Sequence, residues 1–251
     1  TPLTPYRKAI VVGAGRGIGA AVVAKLAAEG YLVAAVSQSE ELTKQVCQQI
    51  NQSNGKNLAN AYTHDVRNYN EVSGLLQTIM ADLGGLDLLV YNAGVLLPTT
   101  PTTYSFDSDR GMIEVNVLGA MAWMNAVAPF FQELGDGQIV GISSVAGDRG
   151  RVKNPAYTAS KAALTTYLEA LRNRLTRFGV NVVTVKPGFV QTDMTKGAEK
   201  LFWLITPEKA AADIWRAIKG RKQTVYTPFQ WRYLMLVIQH IPSFIFRRLS
   251  F

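Results

Sequence analysis

The sequence predicts an α/β domain with a doubly wound, parallel sheet of seven strands, and three observations carry that expectation. Seven short runs rich in β-branched and other apolar residues recur through the 251 residues. Stretches with helical patterning fall between them. The runs are almost continuously apolar, as strands are when a parallel sheet is covered on both faces. Alternation of this kind places helices on either side of one sheet.

The elements follow in order. Strands are expected at 8–12 ("KAIVV"), 31–36 ("YLVAAV"), 60–64 ("NAYTH"), 86–91 ("LDLLVY"), 137–142 ("GQIVGI"), 180–185 ("VNVVTV") and 223–227 ("QTVYT"). Helices fit at 17–29, 40–53, 68–83, 107–133, 155–178 and 207–219. No linker, repeat or low-complexity run divides the chain, so residues 1–251 read as a single domain, with 228–251 as a C-terminal extension. At 48% hydrophobic residues the chain can bury one sizeable core.

Cys47 is the single cysteine and sits in a helical pattern without basic neighbours, so it reads as a packing residue in a reducing, cytoplasmic setting. "KAIVVGAG" is too short and too soon broken by glycine for a secretory core. The formal charge is +8, and it is uneven: after Asp213 there is no acid, while Arg216, Lys219, Arg221, Lys222, Arg232, Arg247 and Arg248 are basic. Such a tail suits nucleic acid, an anionic membrane surface or an anionic substrate. Nucleic acid ranks last, because the cations are interleaved with a long apolar segment.

Gly13, Gly15, Gly17 and Gly19 follow the first strand and open the first helix. Glycines there permit a tight turn and let backbone N–H groups approach a pyrophosphate at a helix N-terminus. The spacing is G-x-x-x-G-x-G through Gly13, Gly17 and Gly19. At the end of the second strand stand Ser37, Gln38 and Ser39, with no carboxylate to repel a 2′-phosphate, and Arg16 in the glycine loop is a cation to pair with one. NADP(H) is therefore the expected cofactor.

Tyr157 and Lys161 lie four apart in a helical stretch, so they share a face. An ammonium beside a phenol is expected to stabilise the phenolate, making Tyr157 a proton donor to a ketone oxygen and an acceptor in reverse. Ser143 and Ser144 end the fifth strand at the carboxyl edge of the sheet, where ligands bind in such folds.

With "GAGRGIG", "HDV" (64–66), "NAG" (92–94), "VNVLG" (115–119), "ISSVAG" (142–147), "YTASK" (157–161) and "KPGFVQT" (186–192) in this order, the chain resembles the short-chain dehydrogenases/reductases over essentially its whole length. The resemblance implies a Rossmann fold and a catalytic set of Asn116, Ser144, Tyr157 and Lys161. The family serine stands thirteen residues before the tyrosine, which selects Ser144 and leaves Ser143 as a strand-end packing or capping residue. Ser144 would bond the substrate carbonyl, and Lys161 would also grip the nicotinamide ribose. Asn116 would sit at a local backbone opening that holds a relay water. For the cofactor, the resemblance implies Gly13 to Gly19 with Ile18, Asp65 and Val66 at the adenine, and Asn92, Ala93 and Gly94 at the ribose. Pro187, Gly188, Val190 and Thr192 would cover the nicotinamide. Two positions depart from the pattern: Val12, where Thr is frequent, and Tyr91, where Asn is frequent. No metal ligands are implied.

The tail at 231–251 has a densest apolar run of only six residues, 233–238, too short to span a bilayer. Closed by Arg247 and Arg248, it fits an interfacial anchor; a core-docking or dimer-interface helix fits equally, and a homo-oligomer is expected. "SSVAGDRGR" (143–151) and the stretch 225–249 are similar to reductases that act on decaprenylphosphoryl 2-keto-pentose. That similarity implies a ketone on a lipid-linked sugar. Arg149, Arg151 and Lys153 would flank its phosphate. The expected activity is NADPH-dependent reduction of a ketone to a secondary alcohol. The alternative is a non-catalytic dinucleotide sensor or scaffold using its tail to bind a partner or membrane, which would have had no need to keep Ser144, Tyr157, Lys161 and Asn116.

Overall fold

The computed structural model describes residues 6–97, 99–197 and 201–249, so the last two residues of the tail, Ser250 and Phe251, lie outside it. The strands are β1 (Arg7–Val12), β2 (Tyr31–Ser37), β3 (Ala59–Thr63), β4 (Leu88–Tyr91), β5 (Gln138–Ile142), β6 (Asn181–Pro187) and β7 (Thr224–Thr227). They form one sheet in the order β3-β2-β1-β4-β5-β6-β7, every pair parallel. The chain leaves β1 in one direction and resumes on its other side with β4. The carboxyl ends of β1 and β4 therefore face a topological switch point, where such sheets bind ligands.

The helices are α1 (Gly17–Ala28), α2 (Glu40–Asn54), α3 (Val72–Leu83), α4 (Phe106–Ile113), α5 (Gly119–Leu134), α6 (Pro155–Leu175), α7 (Pro207–Lys219), α8 (Gln230–His240) and α9 (Ser243–Phe246). Period-two alternation along β1 divides its side chains between two cores. Ala9 and Val11 join Val22 and Leu26 of α1 and Ile214 of α7. Ile10 and Val12 join Ile79 of α3, Trp123 and Phe131 of α5 and Leu168 of α6. Cys47 is buried in the first of these cores, and burial pushes its thiol up to about 11, which removes it from thiolate chemistry near neutral pH.

Several boundaries differ from the sequence pattern for local reasons. β3 stops at Thr63, and His64 turns into the protein with its Nε2 3.3 Å from the Asn68 carbonyl. β4 starts at Leu88 because Asp87 is spent at the sheet's amino edge, its carboxylate accepting from the Lys8 amide at 2.6 Å. β6 runs on to Pro187, paired with Thr227. The helix expected at 107–133 is continuous from Phe106 to Leu134 but contains a π-helical turn at Glu114–Leu118. By length and composition that run is apolar enough to cross a membrane, yet half of its most apolar stretch is buried in the protein, as in a core helix.

The tail docks on its own body. Trp231 and Met235 of α8 are buried with Val145, and Phe189, Tyr226 and Ile238 pack around them.

Candidate active site

The glycine loop leads from β1 into α1 with Gly17 at φ +55°, a left-handed conformation that favours glycine. A Cβ there would also press on the Thr192 methyl at 3.0 Å, so the loop touches the segment after β6. The α1 N-terminus differs from those of α2, α4 and α7, which are capped by Ser39, Ser105 and Thr206. At α1 the N-cap is Arg16, which gives no side-chain cap, and the first turn holds no acid. The first amides of α1, those of Gly17, Ile18 and Gly19, are thus left as donors for a pyrophosphate, and the dipole favours that charge. The residues present fit a dinucleotide.

Across the switch point Asn92 Nδ2 donates to the Gly13 carbonyl at 2.9 Å, tying the end of β4 to the glycine loop. Ala93 packs against the core beside it. A Cβ at Gly94 would lie 3.2 Å from Lys161 Nζ, so this glycine keeps the chain close to the lysine. At the adenine end, Asp65 is held by Arg67 and Gln38 Nε2 donates to it at 3.1 Å; the Arg67 guanidinium keeps its carboxyl below the usual range. The Val66 side chain is turned into the core against Gly119, so a role at the adenine is left to its backbone. Ile18 likewise packs its side chain against the core. Ser37 and Ser39 are engaged locally: the Ser37 and Thr43 hydroxyls share a 2.6 Å hydrogen bond, and Ser39 caps α2. Arg16 is exposed and pairs with Asp193 at 3.3 Å.

The residues expected to be catalytic converge from three elements. Ser144 follows β5, its Oγ accepting from the Ala146 amide at 3.0 Å and lying 3.5 Å from the Pro187 carbonyl. Tyr157 and Lys161 stand on α6. Ser143 anchors that helix, its hydroxyl donating to the Lys161 carbonyl at 2.8 Å and meeting Thr165 Oγ1 at the same distance. Lys161 is buried and its Nζ donates to the Ile142 carbonyl at 3.0 Å. Tyr157 is half-buried, with its hydroxyl 4.0 Å from Met194 Sδ in the segment after β6.

The electrostatics correct one expectation. The Lys161 Nζ lies 5.8 Å from the centre of the Tyr157 ring, and the phenol is raised above its ordinary value because burial outweighs the charges near it. The groups pulling it down are the Ser144 hydroxyl and the Arg151 guanidinium. Lys161 itself is brought down to about 8 by burial. Between about pH 8 and the ordinary lysine range near 10.4 the unfolded chain binds the extra proton, so this group's contribution to stability rises with pH through that window. Lys161→Met should therefore gain most over wild type at pH 7. The difference should shrink by about 1–3 kcal/mol as pH approaches 10, measured by urea denaturation. A difference independent of pH would refute this.

Asn116 lies beside Lys161, since a Cβ at Gly94 would be 3.4 Å from its Oδ1 and 3.2 Å from Lys161 Nζ. It lies fully buried in the π-helical turn. Its amide donates to the Val95 carbonyl at 3.0 Å and to Ser160 Oγ at 2.9 Å, and its oxygen accepts from the Val95 amide at 2.8 Å. Ser160 in turn donates to the Tyr157 carbonyl at 2.8 Å. Asn116 thereby positions α6 and the stretch after Gly94, and the π-helical turn supplies the opened backbone. Tyr91, read from sequence only as a departure from the family pattern, serves that opening: its hydroxyl donates to the Val115 carbonyl at 2.7 Å.

After β6, Pro187 and Val190 are buried, and Thr192 caps a short turn at Asp193–Thr195. Gly188 is covered by the tail, since a Cβ on it would meet Trp231 Nε1 at 1.9 Å. Trp231 also meets Phe189 and Trp203 edge-on, at 5.6 and 5.4 Å between ring centres. Of the three cations expected around a substrate phosphate, Arg149 is committed elsewhere. It donates to the Ile238 and Gln239 carbonyls at 2.9 and 2.7 Å and stacks 4.2 Å from the Phe246 ring. Nothing in the sequence signalled this latch or the Trp231 cover, because both depend on where the tail folds back.

A dinucleotide cradle, a buried lysine and a Ser-Tyr pair at the carboxyl edge of one parallel sheet define a nicotinamide-dependent oxidoreductase. The family model described as short chain dehydrogenase matches residues 7–201, and the chain belongs to that family. It is 36% identical over 221 residues to the ketoacyl reductase HetN of Nostoc sp., covering 86% of this chain and 76% of that protein. An oxidoreductase of Myxococcus xanthus is 37% identical over 190 residues, 76% of this chain and 74% of that one. Among solved structures, actinorhodin polyketide ketoreductase with NADPH superposes at a TM-score of 0.80 and 26% identity, over 88% of this chain and 95% of that one.

Proposed function

We propose that this enzyme is an NADPH-dependent reductase of a lipid-linked ketone, a polyprenyl-phosphate-linked sugar ketone being the compound class that the last third of the sequence suggests. The observation that carries the ketone assignment is the convergence of Ser144, Tyr157 and buried Lys161 beside the uncapped α1 N-terminus. When bound, the nicotinamide supplies the hydride to the carbonyl carbon. Ser144 orients the carbonyl oxygen by donating to it. Tyr157 hands its proton to that oxygen as negative charge develops there, and burial keeps the phenol protonated until then. Lys161 holds ribose hydroxyls and offers positive charge close to the phenol as it loses its proton. The relatives whose names specify ketoacyl or polyketide ketoreductases support the direction of reduction and, in one case, the phosphorylated cofactor. The aromatic cluster of Phe189, Trp203 and Trp231 supports an apolar substrate.

The test is cofactor oxidation with simple, sugar and lipid-linked ketones, using NADPH and NADH in parallel. The expected result is highest efficiency with NADPH and the lipid-linked ketone; no turnover of any ketone would overturn the reading. Arg16→Ala should weaken NADPH by roughly 10–100-fold and NADH little, because charge-assisted bonds to a phosphate are the strong ones. Equal losses for both cofactors, measured by titration of intrinsic fluorescence, would remove Arg16 from the 2′-phosphate site.

A further inference from the structure

α8 is apolar on both sides. Its inner side buries Trp231 and Met235. The outer side, with Phe229 at its N-cap, presents Phe229, Tyr233, Leu236 and Val237 at 66, 64, 56 and 63% exposure. At helical spacing these four fall within an arc of about 100°. α9 follows with Phe244 and Ile245 exposed at 61 and 43%. Exposed apolar side chains contiguous on one face mark an interaction surface.

The charges choose the occupant. Arg232 lies on α8, Arg247 and Arg248 follow α9, and no Asp or Glu occurs after Asp213. Two copies meeting symmetrically through α8 would bring these arginines together with no acid from the segment to pair with them. An anionic bilayer takes up both features, the apolar side chains in its interface and the arginines among its headgroups. An 11-residue helix is about 17 Å long, against a hydrocarbon core of about 30 Å, so α8 lies in the interface. The orientation is held from the catalytic loop: Arg149, five residues after Ser144, bonds the last carbonyls of α8 and stacks on Phe246 of α9. The inner side of the same helix covers Gly188 through Trp231.

We propose that the outer face of α8 and α9 docks the enzyme on an anionic lipid surface. One helix then has lipid on its outer side and the cover of the nicotinamide segment on its inner side. A ketone carried on a lipid would reach Tyr157 without its chain crossing water. The docking itself does not rest on the ketone assignment, since vesicle binding is read with neither substrate nor cofactor.

The experiment is co-sedimentation of the full chain with vesicles of phosphatidylcholine alone and with phosphatidylglycerol added, at low and high salt. Wild type should bind the anionic vesicles, and salt should weaken binding by screening the arginines. Leu236→Glu with Val237→Glu should reduce partitioning by about 100-fold or more, given the transfer free energy of two apolar side chains. Arg247→Glu with Arg248→Glu should abolish the preference for phosphatidylglycerol. Both pairs are on the surface, and unchanged thermal melts check that each variant folds. The proposal is overturned if wild type ignores the vesicles or if both double variants bind like wild type. It is also overturned if wild type elutes as a dimer that Leu236→Glu with Val237→Glu converts to monomer, which would assign this face to a second copy. Failure of ketone turnover alone leaves the docking result standing, and loss of vesicle binding leaves turnover of a soluble ketone standing.

Discussion

Tyr157→Phe should lower turnover of the best ketone by about 10²–10⁴-fold, the range for a positioned acid, while NADPH affinity stays near wild type. The substitution removes one hydroxyl and keeps the ring on α6. It leaves Lys161 bonded to the Ile142 carbonyl and Ser144 with its contacts near Ala146 and Pro187. Only the proton donor is lost, so the fall belongs in kcat, with KM moving little. The raised phenol sharpens the expectation. A tyrosine held above its ordinary range stays protonated throughout neutral pH, so reduction by wild type should not lose activity from phenol ionisation between pH 6 and 9. Turnover of Tyr157→Phe within threefold of wild type would remove the tyrosine from the reaction.

Asp148→Asn should destabilise the fold by about 3–5 kcal/mol, the cost of leaving one member of a buried ion pair alone. Asp148 lies in the turn after Ser144, its carboxylate nearly inaccessible and paired with the largely buried Lys186 ammonium. The Tyr226 hydroxyl donates to its other oxygen at 2.9 Å. Three elements meet there: the turn after β5, the last residues of β6, and β7. An amide at position 148 still accepts from Tyr226 but gives the ammonium no counter-charge. Lys186 directly precedes Pro187, whose carbonyl faces Ser144, so the loss should also loosen the active-site edge. Tyr226→Phe, which removes one donor to the carboxylate but keeps its counter-charge, should cost less, about 1.5–3 kcal/mol. Denaturant titration of both variants checks this. Losses of similar size, or less than about 1 kcal/mol for Asp148→Asn, would show that the pair contributes little.

The sheet was legible because its strands are covered on both faces, which leaves unbroken apolar runs at β1, β2, β4, β5 and β6. The expected catalytic positions were read from spacing: Tyr157 and Lys161 one helical turn apart, and Ser144 at the family distance before them. Boundaries were less legible, because they are decided by partners remote in sequence. Asp87, bonded to Lys8, delays the start of one strand, and Pro187 extends another by pairing with Thr227. The role of Tyr91 was hidden for the same reason: its hydroxyl acts on a carbonyl opened by a π-helical turn that apolar periodicity does not encode.

By itself the sequence determined the doubly wound fold, and it pointed to the glycine loop as a dinucleotide cradle and to Ser144, Tyr157 and Lys161 as the expected catalytic set. The fold, the glycine loop and the Tyr157–Lys161 pair follow from local pattern, namely apolar runs, glycines at a strand-helix junction and residues a turn apart on one helix, whereas Ser144 follows from the family resemblance. Tertiary structure alone decided the rest. It turned Val66 inward, gave Arg149 to the tail instead of to substrate, and left Tyr157 governed by burial more than by the lysine beside it. It also decided which side of α8 is covered. A helix with apolar residues on two opposite sides carries no local record of its inner face; that is set by what it meets, here Val145, Phe189 and Gly188 on elements far away in the chain.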